Sequence, residues 1–274
     1  MSICIYHGNC ADGFGAAWAV RKALGDIEFH AGTYQEPPPD VTGKAVVMVD
    51  FSYKRDVLLA MAEKAESILI LDHHKTAQEN LVDLPANVTT IFDMNHSGAV
   101  LTWKHFFPAE PVPPLLLHIE DRDLWRFLLE NTREIQANVF SYPYDFAVWD
   151  KLIAANVADL VLEGKAIERK HFKDIAELLP LVTRMQVIGG HVVPVANLPY
   201  IYSSDAGHRL AKAGSFGACY WDTPKGRTYS LRSTDDGVDV SAVAVMYGGG
   251  GHRNASGFSV SYEVASTFDN LVEV

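Results

Sequence analysis

Apolar residues come in short, nearly unbroken runs over 3–6, 45–49 and 67–71, and the last two runs end on a carboxylate, Asp50 and Asp72. Runs of this length, rich in β-branched residues, predict strands buried on both faces. Between them the period changes. Over 12–24, Phe14, Ala17, Trp18 and Arg21 recur at helical spacing, and 54–66 is rich in Ala, Leu, Lys and Glu, so both segments predict helices. Another strand is predicted over 27–33, halted by Pro37-Pro38-Pro39, and another over 88–92 before a helix opened by Ser97.

Alternating strands and helices of this kind predict an α/β fold, a mostly parallel, Rossmann-like sheet with helices on both faces. From Pro113 to about Pro180 the pattern is helical, with Pro113-Pro114 suited to a first turn and 165–179 amphipathic. Strand patterns return over 192–196, 218–221, 228–233 and 258–260, with helical stretches over 207–213 and 240–247. Two domains are therefore expected: a sheet domain over 1–150 and a smaller mixed α/β domain over 186–274, joined by a helical connector over 151–185. No internal repeat or low-complexity tract interrupts them.

The 274 residues are 48% hydrophobic and 21% charged, enough apolar material for a packed core. No apolar run approaches the roughly 18 residues of a membrane span. The first residues lack a basic leader and read as a strand rather than a signal peptide. A net charge of −11 opposes tight binding of long nucleic acid but permits a small phosphorylated ligand held by a metal or a local cationic pocket. Three cysteines, Cys4, Cys10 and Cys219, cannot form a disulfide framework, which points to a reducing, cytoplasmic setting.

Polar clusters fall where the strands end. His7 to Asp12 follows the first strand, Asp50 ends another, and Asp72-His73-His74 a third. In parallel sheets the functional groups gather at these carboxyl ends. Alternation along the strand directs Asp72 and His74 one way and His73 the other. Imidazole with several carboxylates suits a divalent ion such as Mn²⁺, and a carboxylate can bridge two such ions. Each cluster also has a plainer reading: a polar loop for Asp72-His73-His74, a helix cap for Asp12, a solvated helix end for Glu120-Asp121-Arg122-Asp123. The run Gly248 to Gly251, followed by His252 and Arg253, is either a flexible loop or a cradle whose backbone N–H groups close on a phosphate, with Arg232 able to join.

Taken together, these residues resemble the DHH-family phosphoesterases. Asp72-His73-His74 matches the motif that gives the family its name, Asp50 matches the aspartate of the preceding motif, and His7-Gly8-Asn9-Cys10-Ala11-Asp12-Gly13 looks like the first. Asp121, with Asp123 as the other candidate, falls where the fourth-motif aspartate is expected. Gly249-Gly250-Gly251-His252-Arg253 is similar to the signature of the DHH-associated C-terminal domain. The chain departs from the pattern at Cys10, where many members carry an aspartate; Cys10 is either a thiolate ligand or a small buried spectator.

The resemblance implies a cofactor of two divalent ions, most simply Mn²⁺, with His7, Asp12, Asp72, His73, Asp121 and, in the thiolate reading, Cys10 as ligands and Asp50 bridging. Asp50, Asp72 and His74 are then the catalytic set, His74 contacting the phosphoryl oxygens or protonating the leaving group. Gly249, Gly250, Gly251, His252, Arg253 and Arg232 are expected to bind substrate. The activity implied is metal-dependent hydrolysis of short oligonucleotides or cyclic (di)nucleotides. Alternatives are a phosphomonoesterase acting on 3′-phosphorylated nucleotides and a non-catalytic nucleotide-binding module. No membrane or tightly held long nucleic acid is expected as a partner, and a homodimer is left open.

Overall fold

The computed structural model describes residues 1–34 and 36–269. They divide into two compact units, Met1–Arg169 and Lys170–Val274, the last residues of which lie beyond those described.

The first unit begins β1 (Ser2–His7), α1 (Ala11–Leu24), β2 (Glu28–Gly32), β3 (Ala45–Val49), α2 (Arg55–Ala62) and β4 (Ser67–Asp72). It continues with α3 (Lys75–Asn80), β5 (Val88–Phe92), α4 (Gly98–Phe106), α5 (Pro114–Asp123), α6 (Thr132–Val139) and α7 (Phe146–Ala154). The long helix α8 (Val157–Val182) follows. The five strands form one parallel sheet in the order β2-β1-β3-β4-β5. The predicted two-sided burial is visible in single residues. Val47, Val49 and Leu71 enter one core with Trp18, Trp103 and Trp149 from the helices on that face. Val46, Met48, Ile68 and Ile70 enter the other with Leu58 and Met61 of α2. From Val46 to Val49 and from Ile68 to Leu71 each residue is thus claimed by one core or the other, which is why no polar position interrupts those stretches.

In this strand order the chain turns one way from β1 to β2 and the other way from β3 to β5. The switch point therefore lies between the carboxyl ends of β1 and β3, where ligands collect in open α/β sheets. Pro114 opens α5 at its first turn, as its fixed φ favours.

The second unit contains β6 (Thr183–Ile188), β7 (His191–Asn197), α9 (Ser203–Ala211), β8 (Gly217–Thr223), β9 (Gly226–Arg232), α10 (Val240–Val245), β10 (Gly250–His252), β11 (Ala255–Val260) and α11 (Tyr262–Thr267). Its mixed sheet has the order β10-β11-β9-β8-β7-β6 and is antiparallel except at β7–β8. Tyr229, Leu231 and Phe258 bury one face of it, and Cys219 lies on the other with Ala206 and Leu210 of α9. The glycine run does not form an open loop: Gly250–His252 is a short strand at the sheet edge. Among the described residues, no helix is long and apolar enough to cross a membrane.

Candidate metal centre

The three strand-end clusters converge. Asp50, just past β3, accepts a hydrogen bond from His73 Nε2 to Oδ1 at 3.1 Å, and its Oδ2 lies 3.3 Å from His7 Nδ1. His73 Nε2 also lies 3.6 Å from Asp12 Oδ2 and 3.5 Å from Asp123 Oδ2. Within the first unit two groups of potential metal ligands result, Asp12, Asp50 and His73 in one, and His7, Asp50 and His74 in the other, with ligand atoms within 4.8 Å of one another in each. Asp50 belongs to both.

Local structure explains each placement. His73 and His74 continue the alternation of β4: His73 turns toward Asp50 and Asp12, while His74 Nδ1 bonds back to Asp72 Oδ1 at 2.7 Å. Asp72 Oδ1 also accepts from the backbone N–H of His73 at 2.8 Å and of His74 at 3.3 Å. Asp12, in the first turn of α1, accepts from the N–H groups of Gly98 and Ala99 at 2.6 and 3.0 Å, so the positive end of α4 faces its carboxylate. Ser97 caps α4, and its own N–H donates to Glu120 at 2.9 Å. Asp50 holds φ +54°, a left-handed conformation uncommon outside glycine. Such outliers concentrate at functional sites.

Electrostatics sets the carboxylates apart. Burial raises the Asp12 carboxyl well above its usual range, and the neighbouring charges of Asp50 and Asp123 push the same way. Burial, with Asp50 beside it, likewise raises Asp123. Burial opposes charge on Asp50 too, but the hydrogen bonds from His7 and His73 prevail and hold it well below the usual carboxylate range. Burial opposes the charged form of His73, yet its bond to Asp50 and the charges of Asp123 and Asp12 lift it to about 10.

A divalent cation fits this donor set. Asp72 Oδ2 is fully buried and has no hydrogen-bond partner among the described residues, an expensive arrangement for a carboxylate without a cation to compensate it. The crowded acids must be ionised to ligate, and a cation offsets both the burial and the mutual repulsion that raise Asp12 and Asp123. Mixed imidazole and carboxylate donors suit a borderline or hard divalent ion.

Asp121 does not reach this centre. Its carboxylate accepts from the N–H of Leu128 at 2.8 Å, the N–H of Leu129 at 3.0 Å and the hydroxyl of Thr132 at 2.6 Å, so it ties down the turn after α5. The carboxylate beside His73 belongs to Asp123. Helical spacing explains the exchange: Asp123 continues the inward stripe of Leu116 and Ile119, whereas Asp121 lies on the side of His118, which bonds the same Thr132 hydroxyl. Cys10 hydrogen-bonds His7 but belongs to neither ligand group, and burial raises its thiol despite that bond. Tyr34 and Gly98 carry no sequence motif yet touch the centre: Tyr34 packs against the His7 and His74 rings, and Gly98 against Asp50.

In the second unit, the guanidinium of Arg253 donates to the carbonyls of Asp235 and Gly237 at 3.4 and 2.9 Å. Arg232 donates to Ser230 Oγ, the Leu231 carbonyl and Ser204 Oγ at 2.9, 2.8 and 2.7 Å. Both arginines thus brace their own unit. The N–H groups of Gly248 and Gly249 are spent on the carbonyls of Val245 and Ala244. A side chain at Gly249 would meet the Gly257 carbonyl at 2.1 Å, so close strand packing itself requires that glycine. His252 pairs with Ala255 at the end of β10.

No family model matches the chain. A protein of Acanthamoeba polyphaga mimivirus, itself uncharacterised, is 34% identical over 95% of this chain, which spans 68% of that protein. The oligoribonuclease NrnB of Bacillus subtilis is 41% identical over 40% of this chain, a match that takes in only 26% of NrnB. Among solved structures, the DHH domain of a member of the s1p family of ribosomal proteins aligns over 97% of this chain and 85% of its own, with TM-score 0.59 at 13% identity. The pGpG-specific phosphodiesterase PggH of Vibrio cholerae aligns over 97% of this chain and 95% of its own, at TM-score 0.51 and 14% identity. RecJ of Thermus thermophilus, in complex with Mn²⁺, gives 0.50 at 15% identity over 97% of this chain and 50% of its own. The structural likenesses show the two-domain DHH fold. With Asp72-His73-His74 at the end of β4 and its companion acids assembled around it, the chain has the DHH fold and carries the motif residues by which it resembles that family.

Proposed function

We propose that this chain is a metal-dependent phosphodiesterase that hydrolyses short oligonucleotides or cyclic (di)nucleotides. The observation that carries this reading is Asp50, shared by two groups of imidazole and carboxylate donors at the switch point of a parallel sheet. The names of relatives support it: NrnB is an oligoribonuclease, PggH acts on pGpG, and RecJ was solved with Mn²⁺.

His7, Asp12, Asp50, His73 and Asp123 would hold two divalent ions, Mn²⁺ by preference, with Asp72 completing the set through its unpaired Oδ2. Bound there, such ions polarise phosphoryl oxygens and make a water nucleophilic at neutral pH. The remaining work falls to the chain's own residues. Asp72 Oδ1 fixes the Nδ1 side of His74, leaving Nε2 as the atom that meets substrate, where it contacts a phosphoryl oxygen or gives a proton to the leaving alkoxide. The α4 N-terminus holds Asp12 in place, so the ligand acids are positioned before substrate arrives. In the second unit, Gly249, Gly250, Gly251 and His252 remain the proposed substrate-binding residues, with Arg232 and Arg253 bracing the sheet beneath them. An acidic surface with a net charge of −11 favours a short substrate over a long strand.

The test is product analysis with Mn²⁺, Co²⁺ and Mg²⁺ on a dinucleotide, a cyclic dinucleotide and a 3′,5′-bisphosphonucleoside, using wild type and Asp50→Asn. Cleavage of a diester by wild type alone is the expected result. Release of phosphate only from the bisphosphonucleoside would make the protein a phosphomonoesterase. Binding without turnover under any metal would make it a nucleotide-binding module.

A further inference from the structure

Tyr34 stands two residues beyond β2, the neighbour of β1, and so emerges at the same edge of the sheet as His7. Its ring rests on Phe51, which is fully buried, at a centroid distance of 4.8 Å. Phe51 follows Asp50 directly and occupies space that a side chain at Gly32 would fill, a Cβ there meeting its ring at 2.8 Å. From this pedestal the Tyr34 ring lies edge-to-face with His7 at 5.4 Å and with His74 at 6.4 Å. It is nevertheless 48% exposed. Phe140, the other strongly exposed aromatic ring among the described residues of this unit, is covered by the Arg122 guanidinium at 4.6 Å.

A half-exposed aromatic ring, fixed from below and set beside the imidazoles of a metal centre, is poorly explained by core packing. Rigid rings of this kind offer a nucleobase a stacking surface at little entropic cost, and they do so for every base. We propose that the ring of Tyr34 is the stacking surface for a nucleobase next to the scissile phosphate, so that the protein selects nucleotide diesters over diesters without a base. This rests on the phosphodiesterase reading and adds the substrate feature recognised beside the metals. Stacking is made equally in the ground and transition states, so its loss raises KM and leaves kcat nearly unchanged.

The experiment is calorimetric binding of pApA, and of the same dinucleotide with both bases removed, to wild type, Tyr34→Phe and Tyr34→Ala, with Ca²⁺ replacing Mn²⁺. Wild type should prefer the base-bearing ligand by about 5- to 150-fold, the range that one stacked base supplies. Tyr34→Phe should keep that preference. Tyr34→Ala should lose it while binding the abasic ligand as wild type does. The inference falls if Tyr34→Ala keeps the preference, if it weakens both ligands equally, if Tyr34→Phe behaves like Tyr34→Ala, or if wild type binds neither ligand. A ring-dependent base preference in a protein that cleaves no dinucleotide with Mn²⁺ would sustain the stacking role and overturn hydrolysis alone.

Discussion

Gly98 lies so close to Asp50 that a β-carbon added to it would sit 2.4 Å from the aspartate's own Cβ. The two cannot simply move apart, because the Gly98 N–H is held by Asp12 at 2.6 Å and Asp50 is in a left-handed backbone conformation at the end of β3. One glycine thus spaces the bridging candidate from the α1 carboxylate. Gly98→Ala should lower metal-dependent turnover at least about 100-fold and cost about 1–3 kcal/mol of stability through overpacking. Steady-state rates at saturating Mn²⁺ and urea unfolding would measure both. Near-normal turnover in this variant would mean that the Asp50–Asp12 spacing is immaterial to the chemistry.

Asp121 and Asp123, two positions apart on α5, should respond in opposite ways to loss of charge. Asp121→Asn places an amide where backbone and hydroxyl donors point, so it should destabilise the fold by about 1–3 kcal/mol while leaving metal stoichiometry intact. Asp123→Asn removes a carboxylate beside His73, so it should impair metal binding without lowering the melting temperature of the metal-free protein. Calorimetric Mn²⁺ titration with thermal melts of both variants separates the two roles; the reverse pattern would restore Asp121 to the metal set.

The metal itself should act as a folding ligand. Buried acids that repel one another in its absence gain an attractive partner on binding, and a ligand at 100 times its Kd adds about 2.7 kcal/mol. A chelator should therefore lower the melting temperature and added Mn²⁺ should raise it, whereas Asp50→Asn should abolish most of the response. An equal Mn²⁺-induced rise in wild type and Asp50→Asn would place the ion elsewhere.

Much of this was legible in the chain. The central strands β3 and β4 could be read because both their faces are buried, and their carboxyl ends marked Asp50, Asp72, His73 and His74. What stayed hidden depends on contacts between distant segments. Helical spacing alone does not say which side of α5 meets the sheet, so Asp123 could not be told from Asp121. The requirement for glycine at 98 arises from a residue 48 positions earlier. Tyr34 lies past a strand whose end carries no acid or histidine. The run Gly249–Gly251 reads as an anion cradle because glycine has two uses, and only the Gly257 carbonyl facing Gly249 reveals the second, close strand packing. Strand β6 escaped because its first three residues, Thr183, Arg184 and Met185, are exposed and follow directly on a helix.

His118 offers a test on the side of α5 away from the metal ligands. Its Nδ1 meets the Thr132 hydroxyl at 2.8 Å, and burial lowers its pKa despite the opposing charge of Asp121. Because the folded-state value lies below the unfolded one, near 6.5, the unfolded chain takes up a proton first as pH falls. The contribution of His118 to stability is thus complete above about pH 6.5 and is lost as pH drops through the folded-state value. Urea unfolding of the Mn²⁺-loaded protein between pH 7.5 and 5 should show stability declining toward acid, and His118→Gln, which cannot titrate, should flatten part of that slope. Since Gln can still reach Thr132 with a polar atom, the variant should lose little stability at pH 7.5. An unchanged slope in His118→Gln would show that the acid sensitivity arises elsewhere, whereas a large loss already at pH 7.5 would mean that imidazole packing, not its protonation, is what the Thr132 turn depends on.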